Sequence, residues 1–249
     1  ALLLALAAGA RTLEAQRAEA QRLWLVALDQ KAEFALDSAL TLLRAAVRAD
    51  TTFFPAFHEY LDAMRDAGRA AQLGSEFPDP PAAASSLTKC RWAMARVRVS
   101  AWPDARPFLR SLAAAPDASG CAADLIASQN WLNAPEQNLT NYRRAVSSHP
   151  VWWSHWSSYA DQLNSMGRRE EAVAVLLDGL RHTAHAVHAL ALHLQLVEVK
   201  QQMGDSAGAA RLLVAIGTSV ARDGRPWLRW TWLGRLSTEA ERAGNDARL

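Results

Sequence analysis

The residues able to do chemistry here are few, and each set lacks a member. His58-Glu59-Tyr60-Leu61-Asp62 opens like the helix of a zinc protease, where two histidines four apart hold the metal and the glutamate activates water. Asp62 stands where the second histidine must be, and Tyr60 and Leu61 fall in an apolar packing stripe, so these residues read as core. No glycine-rich run precedes a Lys-Ser or Lys-Thr pair, which excludes a phosphate loop. No Gly-x-Ser-x-Gly elbow occurs, and no cysteine–histidine pair is recognisable as an activated nucleophile. The carboxylates are spread singly along polar faces. The expectation is a protein without catalytic residues, cofactor or metal.

Four histidines lie close together: His182, His185, His188 and His193. An i, i+3 pair such as His185 and His188 could share a metal. Steps of three drift about 60° around a helix axis, however, so the set does not converge. Residues 182–185 also fall in a turn between helices, and packed or surface histidines are expected. The sequon Asn138-Leu139-Thr140 places its asparagine where helix packing wants a small buried residue, which disfavours a glycan.

Tryptophan is over-represented, with 10 against 3 tyrosines and 6 phenylalanines. Helix packing accounts for Trp156 and extends to Trp92 and Trp24. It does not require Trp152 and Trp153 together, nor Trp227, Trp230 and Trp232 beside Arg225 and Arg229. Tryptophan and arginine anchor protein interfaces, and tryptophan also favours the membrane–water boundary. Core packing, a protein interface, and a membrane interface or bound pigment therefore stay open for these seven residues.

The elements that position these groups are helices. The chain has 249 residues, 50% hydrophobic and 21% charged, with a mean hydropathy of -0.10, enough to bury a core in one large or two small domains. A net charge of +2 is too balanced for a dedicated nucleic-acid binder. Two cysteines build neither a disulfide framework nor a cysteine zinc site. The opening run Ala1-Leu2-Leu3-Leu4-Ala5-Leu6-Ala7-Ala8-Gly9-Ala10 resembles the apolar stretch and small-residue cleavage site of a secretory signal, without a preceding basic segment. As a helix it would be about 15 Å long, half the ~30 Å hydrocarbon core. A leader or anchor remnant, the tail of an upstream membrane helix, and an ordinary buried helix all fit it.

Strand patterns are almost missing; the longest alternation, Val97-Arg98-Val99, stops at once. Apolar residues recur three and four apart, and Gly68, Pro116, Pro135, Pro150, Gly167, Gly204, Gly224 and Gly244 punctuate them at short intervals. Pro116 and Pro150 are 34 apart, and Gly167 and Gly204 are 37 apart. This is an all-α chain of hairpins repeating every 34 to 40 residues. In the clearest unit, 153–180, Trp156, Tyr159, Ala160 and Leu163 form one packing face and Gly167 makes the turn. Ala172 lets the helices touch, and Leu176, Gly179 and Leu180 form the second face. It resembles a tetratricopeptide repeat, with Ala160 where that family often has glycine.

Weaker copies include Leu125, Ile126, Tyr142, Ala145, Val146 and Pro150; Ala39, Leu43, Ala46 and Asp50; Phe57, Tyr60, Leu61, Met64 and Gly68; and Val197, Gly204, Ala209, Leu213 and Ile216. Trp232 to Gly244 resembles a further first helix. The expected fold is a superhelical array of antiparallel helix hairpins, an α-solenoid, because each hairpin leaves an apolar face for the next to cover. The expected organisation is an apolar leader at 1–20, hairpins at 21–73, a connection at 74–86 with three prolines, and the main array at 87–249.

By the resemblance, first helices line a concave surface and place Asn130, Asp161, Asn164, Glu198 and Gln201 in it. Lysine and arginine are absent there, unlike the clamp by which chaperone-binding members hold a C-terminal carboxylate. Amides and acids suit an extended backbone or a basic segment instead. The expected function is a non-enzymatic protein-binding scaffold with no nucleic-acid partner. One reading is an extrinsic, extracytoplasmic or periplasmic subunit of a membrane complex, respiratory or photosynthetic, with peripheral membrane contact. The other is the non-catalytic docking or sensor part of a longer kinase or protease, which would be cytoplasmic. Cys90 and Cys121 lie 31 residues apart, close to one repeat. A disulfide and two buried free thiols are both open for them.

Overall fold

The structure is a computed structural model that describes residues 2–99, 108, 111–112 and 134–246. The described residues are helices and turns, with no strand among them. Contacts divide the chain into two compact units, Ala1–His149 and Pro150–Leu249. No helix among the described residues is long and apolar enough to cross a membrane.

In the first unit α1 (Leu2–Ala32) runs unbroken past residue 20 and packs on α2 (Leu36–Ala49). Ala39, Leu43 and Ala46 of α2 and Ala20, Trp24 and Ala27 of α1 are wholly buried. Small residues at these spacings let the two backbones approach while Trp24 and Leu43 fill the remaining groove. The turn after α2 is built by Asp50, which accepts from the Thr52 backbone and hydroxyl and pairs with Arg17. Helix α3 (Phe54–Asp66) starts on Pro55, whose missing N–H costs nothing at a helix start.

Phe57, Tyr60, Leu61 and Met64 of α3 are buried, as the repeat register predicts. His58 and Glu59 are buried beside them, so the protease-like pentapeptide is core. Lys31 neutralises Glu59 at 3.1 Å and reaches Asp66 at 3.4 Å. The short α4 (Leu73–Glu76) leads into the proline-rich connection, which α5 (Ser86–Val99) holds down. Phe77 packs edge-on to Phe57, Asp79 accepts from the Trp92 indole at 2.9 Å, and Lys89 donates to the Ala82 carbonyl. Helix α6 (Pro135–Ser148) buries Asn138, Leu139, Tyr142, Ala145 and Val146. Burial of Asn138 agrees with the reading against a glycan. Leu125 and Ile126 lie outside the described residues.

The second unit holds α7 (Trp153–Ser165), α8 (Arg169–His182), α9 (Ala186–Gln202), α10 (Ser206–Asp223) and α11 (Pro226–Asp246). Helices α7 and α8 form one hairpin, and α9 and α10 the next. Helix α8 packs on α7 and α9, α7 also touches α9, and α11 packs on α9 and α10. Both hairpin turns need a left-handed residue, supplied by Gly167 (φ 76°) and Gly204 (φ 80°). The predicted register holds through the first hairpin: Trp156, Tyr159, Ala160, Leu163, Ala172, Leu176 and Gly179 are all buried. Val197, Ala209 and Ile216 repeat the pattern in the second.

Candidate protein-interaction surface

Neighbouring first helices are the place to look, because their outward faces are free of hairpin packing. In the second unit these are α7 and α9, and one side chain ties them together. The Gln195 amide of α9 donates to the Ser157 carbonyl of α7 at 3.0 Å and to the Asp161 carboxylate. Asp161 is exposed as a residue, but its carboxylate rests against α9. Desolvation there pushes its carboxyl above the usual range, opposed by the bond from Gln195.

Three of the other four predicted groove residues flank this bridge. Asn164 follows Asp161 by one turn on α7. Glu198 and Gln201 follow Gln195 on α9, and both are exposed. Asn130 lies outside the described residues. At the adjoining turns Lys200 pairs with Asp205 at 2.8 Å and Arg168 with Glu171 at 2.6 Å, whereas the Arg169 Nε is buried without a hydrogen-bond partner among the described residues. The seam therefore presents oxygen acceptors and carboxylates, suited to N–H donors and cations.

Sequence reasoning passed over Gln195. The signal was available, since it stands 34 residues after Asp161, one repeat on.

The tryptophans divide among the readings that the sequence leaves open. Trp152, Trp227 and Trp232 are buried, with 4%, 8% and 7% of their surface exposed, so they are packing residues of the fold. Trp153 stacks on His188 (centroids 5.4 Å apart), Trp152 meets the same ring edge-on, His188 meets His185, and His185 stacks on Trp227 at 5.7 Å. Arg225 covers the Trp227 ring at 4.7 Å and is held by Asp223. His185 and His188 are thus taken up in aromatic packing, His193 Nδ1 bonds the Ala189 carbonyl at 2.8 Å, and no group of three metal-ligating side chains stands together among the described residues. Trp230 stands out at 72% exposed, with exposed Arg229 beside it and Leu233 one turn on at 47%.

Cys90 is buried in α5 and its sulfur is in a disulfide. The sequence has one other cysteine, Cys121, which lies outside the described residues.

No protein-family profile matches the sequence, and no curated protein matches it. Among solved structures the chain is similar to one in the crystal structure of the APC/C hetero-tetramer Cut9–Hcn1, with 14% identity and a TM-score of 0.52. That match covers 84% of this chain and 41% of the other, so the chain spans well under half of that relative's length. It is also similar to TTC0263, a thermophilic TPR protein of Thermus thermophilus, with 16% identity, a TM-score of 0.40, and 87% and 98% of the two chains covered. At such identities the likeness concerns the fold alone. The chain has an all-α, tetratricopeptide-like repeat fold, as its hairpin register implies.

Proposed function

We propose that this chain is a non-enzymatic repeat scaffold that holds another protein along the α7–α9 seam. One observation carries the reading. Two consecutive first helices lie side by side and expose Asp161, Glu198 and Gln201, while Lys200 and Arg168 are engaged with Asp205 and Glu171. An extended or basic segment is the partner whose donors match that strip. Reversing its charge with Asp161→Arg and Glu198→Arg abolishes capture of the native partner in a pull-down and leaves the helical circular dichroism intact. Undiminished capture by the folded double variant moves the binding site off this seam.

The setting we propose is extracytoplasmic, on the surface of a membrane-associated complex of the respiratory or photosynthetic kind. The disulfide at Cys90 supports an oxidising compartment, and the apolar run at residues 1–10 supports an address at the membrane. Exposed Trp230 beside Arg229 supports peripheral contact with lipid or with a membrane subunit. Protease protection of the native protein in sealed cells tests the compartment, with cytoplasmic protection as the opposing outcome. The intact mass of the native polypeptide tests the alternative that the repeats dock a longer kinase or protease: a mass matching 249 residues removes it.

A further inference from the structure

Three histidines of the second unit each carry an indole. His182 stacks on Trp156 with ring centroids 5.7 Å apart and planes 5° from parallel, His185 on Trp227 at 5.7 Å, and His188 on Trp153 at 5.4 Å. His193 differs from them. No ring lies on it among the described residues, and it lines a pocket of about 190 Å³ instead. Its Nδ1 bonds the Ala189 carbonyl of its own helix at 2.8 Å, which holds the imidazole in one orientation. A flat ring, fixed and half-buried, thus lacks the indole that the other three have.

The pocket follows from the repeat. Gly204 follows Gly167 by 37 residues, and the same step carries Trp152, Trp156 and His182 onto Ala189, His193 and Ser219. The second hairpin therefore has two small side chains and one imidazole where the first has three large rings. Ile216 stands in place of Gly179 and recovers only part of that volume. The remaining space lies between α9 and α10, with buried Leu190, Ile216, Val220 and Leu228 around it and exposed Ala215 and Ser219 at its edge. An apolar cavity of roughly 150 Å³ takes benzene, so this larger one has room for the two rings of an indole.

We propose that the α9–α10 pocket seats a tryptophan side chain of a partner polypeptide, stacked on His193. The proposal rests on the scaffold reading above and adds an apolar anchor to it. Helix α9 serves both places, with Glu198 in the seam and His193 in the pocket. The occupant is an indole because that ring already covers His182, His185 and His188 within the same unit. It comes on a polypeptide because the exposed edge at Ala215 and Ser219 leaves a mouth, through which the ring enters while its main chain stays outside. Tryptophan is enriched at such interface anchors. An aliphatic side chain has no flat face to lay on the imidazole and fits less well.

The test titrates the full chain with Ac-Gly-Ala-Trp-Ala-Gly-NH2 and with the same peptide carrying leucine in place of tryptophan. Nuclear magnetic resonance reads the His193 ring protons and the methyl groups of Leu190, Ile216 and Val220. Saturable ring-current shifts with the tryptophan peptide, and binding weaker by about fivefold with leucine, support the seat. Ala215→Phe, at the exposed edge where folding does not depend on it, should close the mouth and abolish the shifts. His193→Ala should weaken the tryptophan peptide, and His193→Phe, which keeps a flat ring, should restore most of the binding. Equal binding of the two peptides overturns the indole seat. Free indole shifting the pocket when the peptide does not also overturns it, in favour of a small aromatic molecule. No shift with any probe, while the charge-reversed seam variant still loses the native partner, overturns the pocket alone. No shift together with retained partner capture overturns both readings.

Discussion

Gly179 of α8 lies against the indole of Trp156 in α7 so closely that a Cβ placed on it would stand 2.7 Å from the tryptophan Cγ. The obstacle is the root of the side chain, which cannot swing aside as a flexible tip could. Gly179→Ala therefore separates the first hairpin of the second unit, at a cost of about 1–3 kcal/mol. Thermal unfolding should fall by about 2–4 °C for each kcal/mol lost. Gly74→Ala is the internal comparison. It is helical with no atom within 4 Å of the added carbon, so stability there should hold or rise slightly. An equal loss at both sites would mean that α7 and α8 do not meet at Gly179.

Ala172→Leu probes the same hairpin from its other contact. Ala172 is wholly buried on the helix that packs against α7, so extra methylenes there crowd the interface. The expected loss is again about 1–3 kcal/mol, read by chemical denaturation with an unchanged slope. An unchanged midpoint would refute the repeat register.

Trp230 and Trp232 are two residues apart and face opposite ways. Trp232 is 7% exposed and lies against Gly217 of α10, whereas Trp230 is 72% exposed. Trp232→Ala should cost about 3–5 kcal/mol, and Trp230→Ala should stay within about 0.5 kcal/mol. Denaturation curves of the two variants separate a packing tryptophan from a surface one. If the Trp230 variant alone loses partner or vesicle binding, the candidate interface narrows from the tryptophan set to that outer face of α11.

These tryptophans show where sequence stops. Trp156, Ala172 and Gly179 were legible because large, small and absent side chains must alternate where two helices touch, and the spacing follows from the helix itself. Trp152 and Trp227 were not, because their partners are His188 and His185. Histidine reads as polar in any hydropathy pattern, yet its flat ring stacks on an indole as well as an apolar one does. Gln195 was missed for a related reason: its role depends on which carbonyl and carboxylate the next helix brings beside it. Spacing alone assigned Asp161 and Asn164 to the right helix, and only side-chain geometry showed which of their oxygens are satisfied.

Tyr60 carries a pH dependence. It is 1% exposed, donates to Glu76 and accepts from Arg44 at 2.8 Å. Burial, then the bond to the Glu76 carboxylate, push the phenol from 10.0 up to about 12. The native state holds the proton more tightly than the unfolded chain. The resulting stability is fully present below about pH 10 and is lost as pH rises through about 12. Phenolate absorbance should show Tyr60 ionising late or only with unfolding, and Tyr60→Phe should flatten the stability loss across that window. Ionisation near pH 10 in the folded protein would place the hydroxyl in water.

Cys90 is buried, disulfide-bonded and accompanied in the sequence by Cys121 alone. Pairing these two within one chain closes a loop of 31 residues, which stabilises by about 3–4 kcal/mol in the chain-entropy account. Thiol labelling of the denatured, unreduced protein should therefore find no reactive cysteine, at the mass of a single chain. Cys90→Ala should free one thiol and lower the melting temperature, and reducing agent should lower it in the parent but leave the variant unmoved. Two reactive thiols in the unreduced protein would remove the bond and with it the support for an oxidising compartment. A mass of two chains that collapses on reduction would turn the staple into a covalent dimer contact.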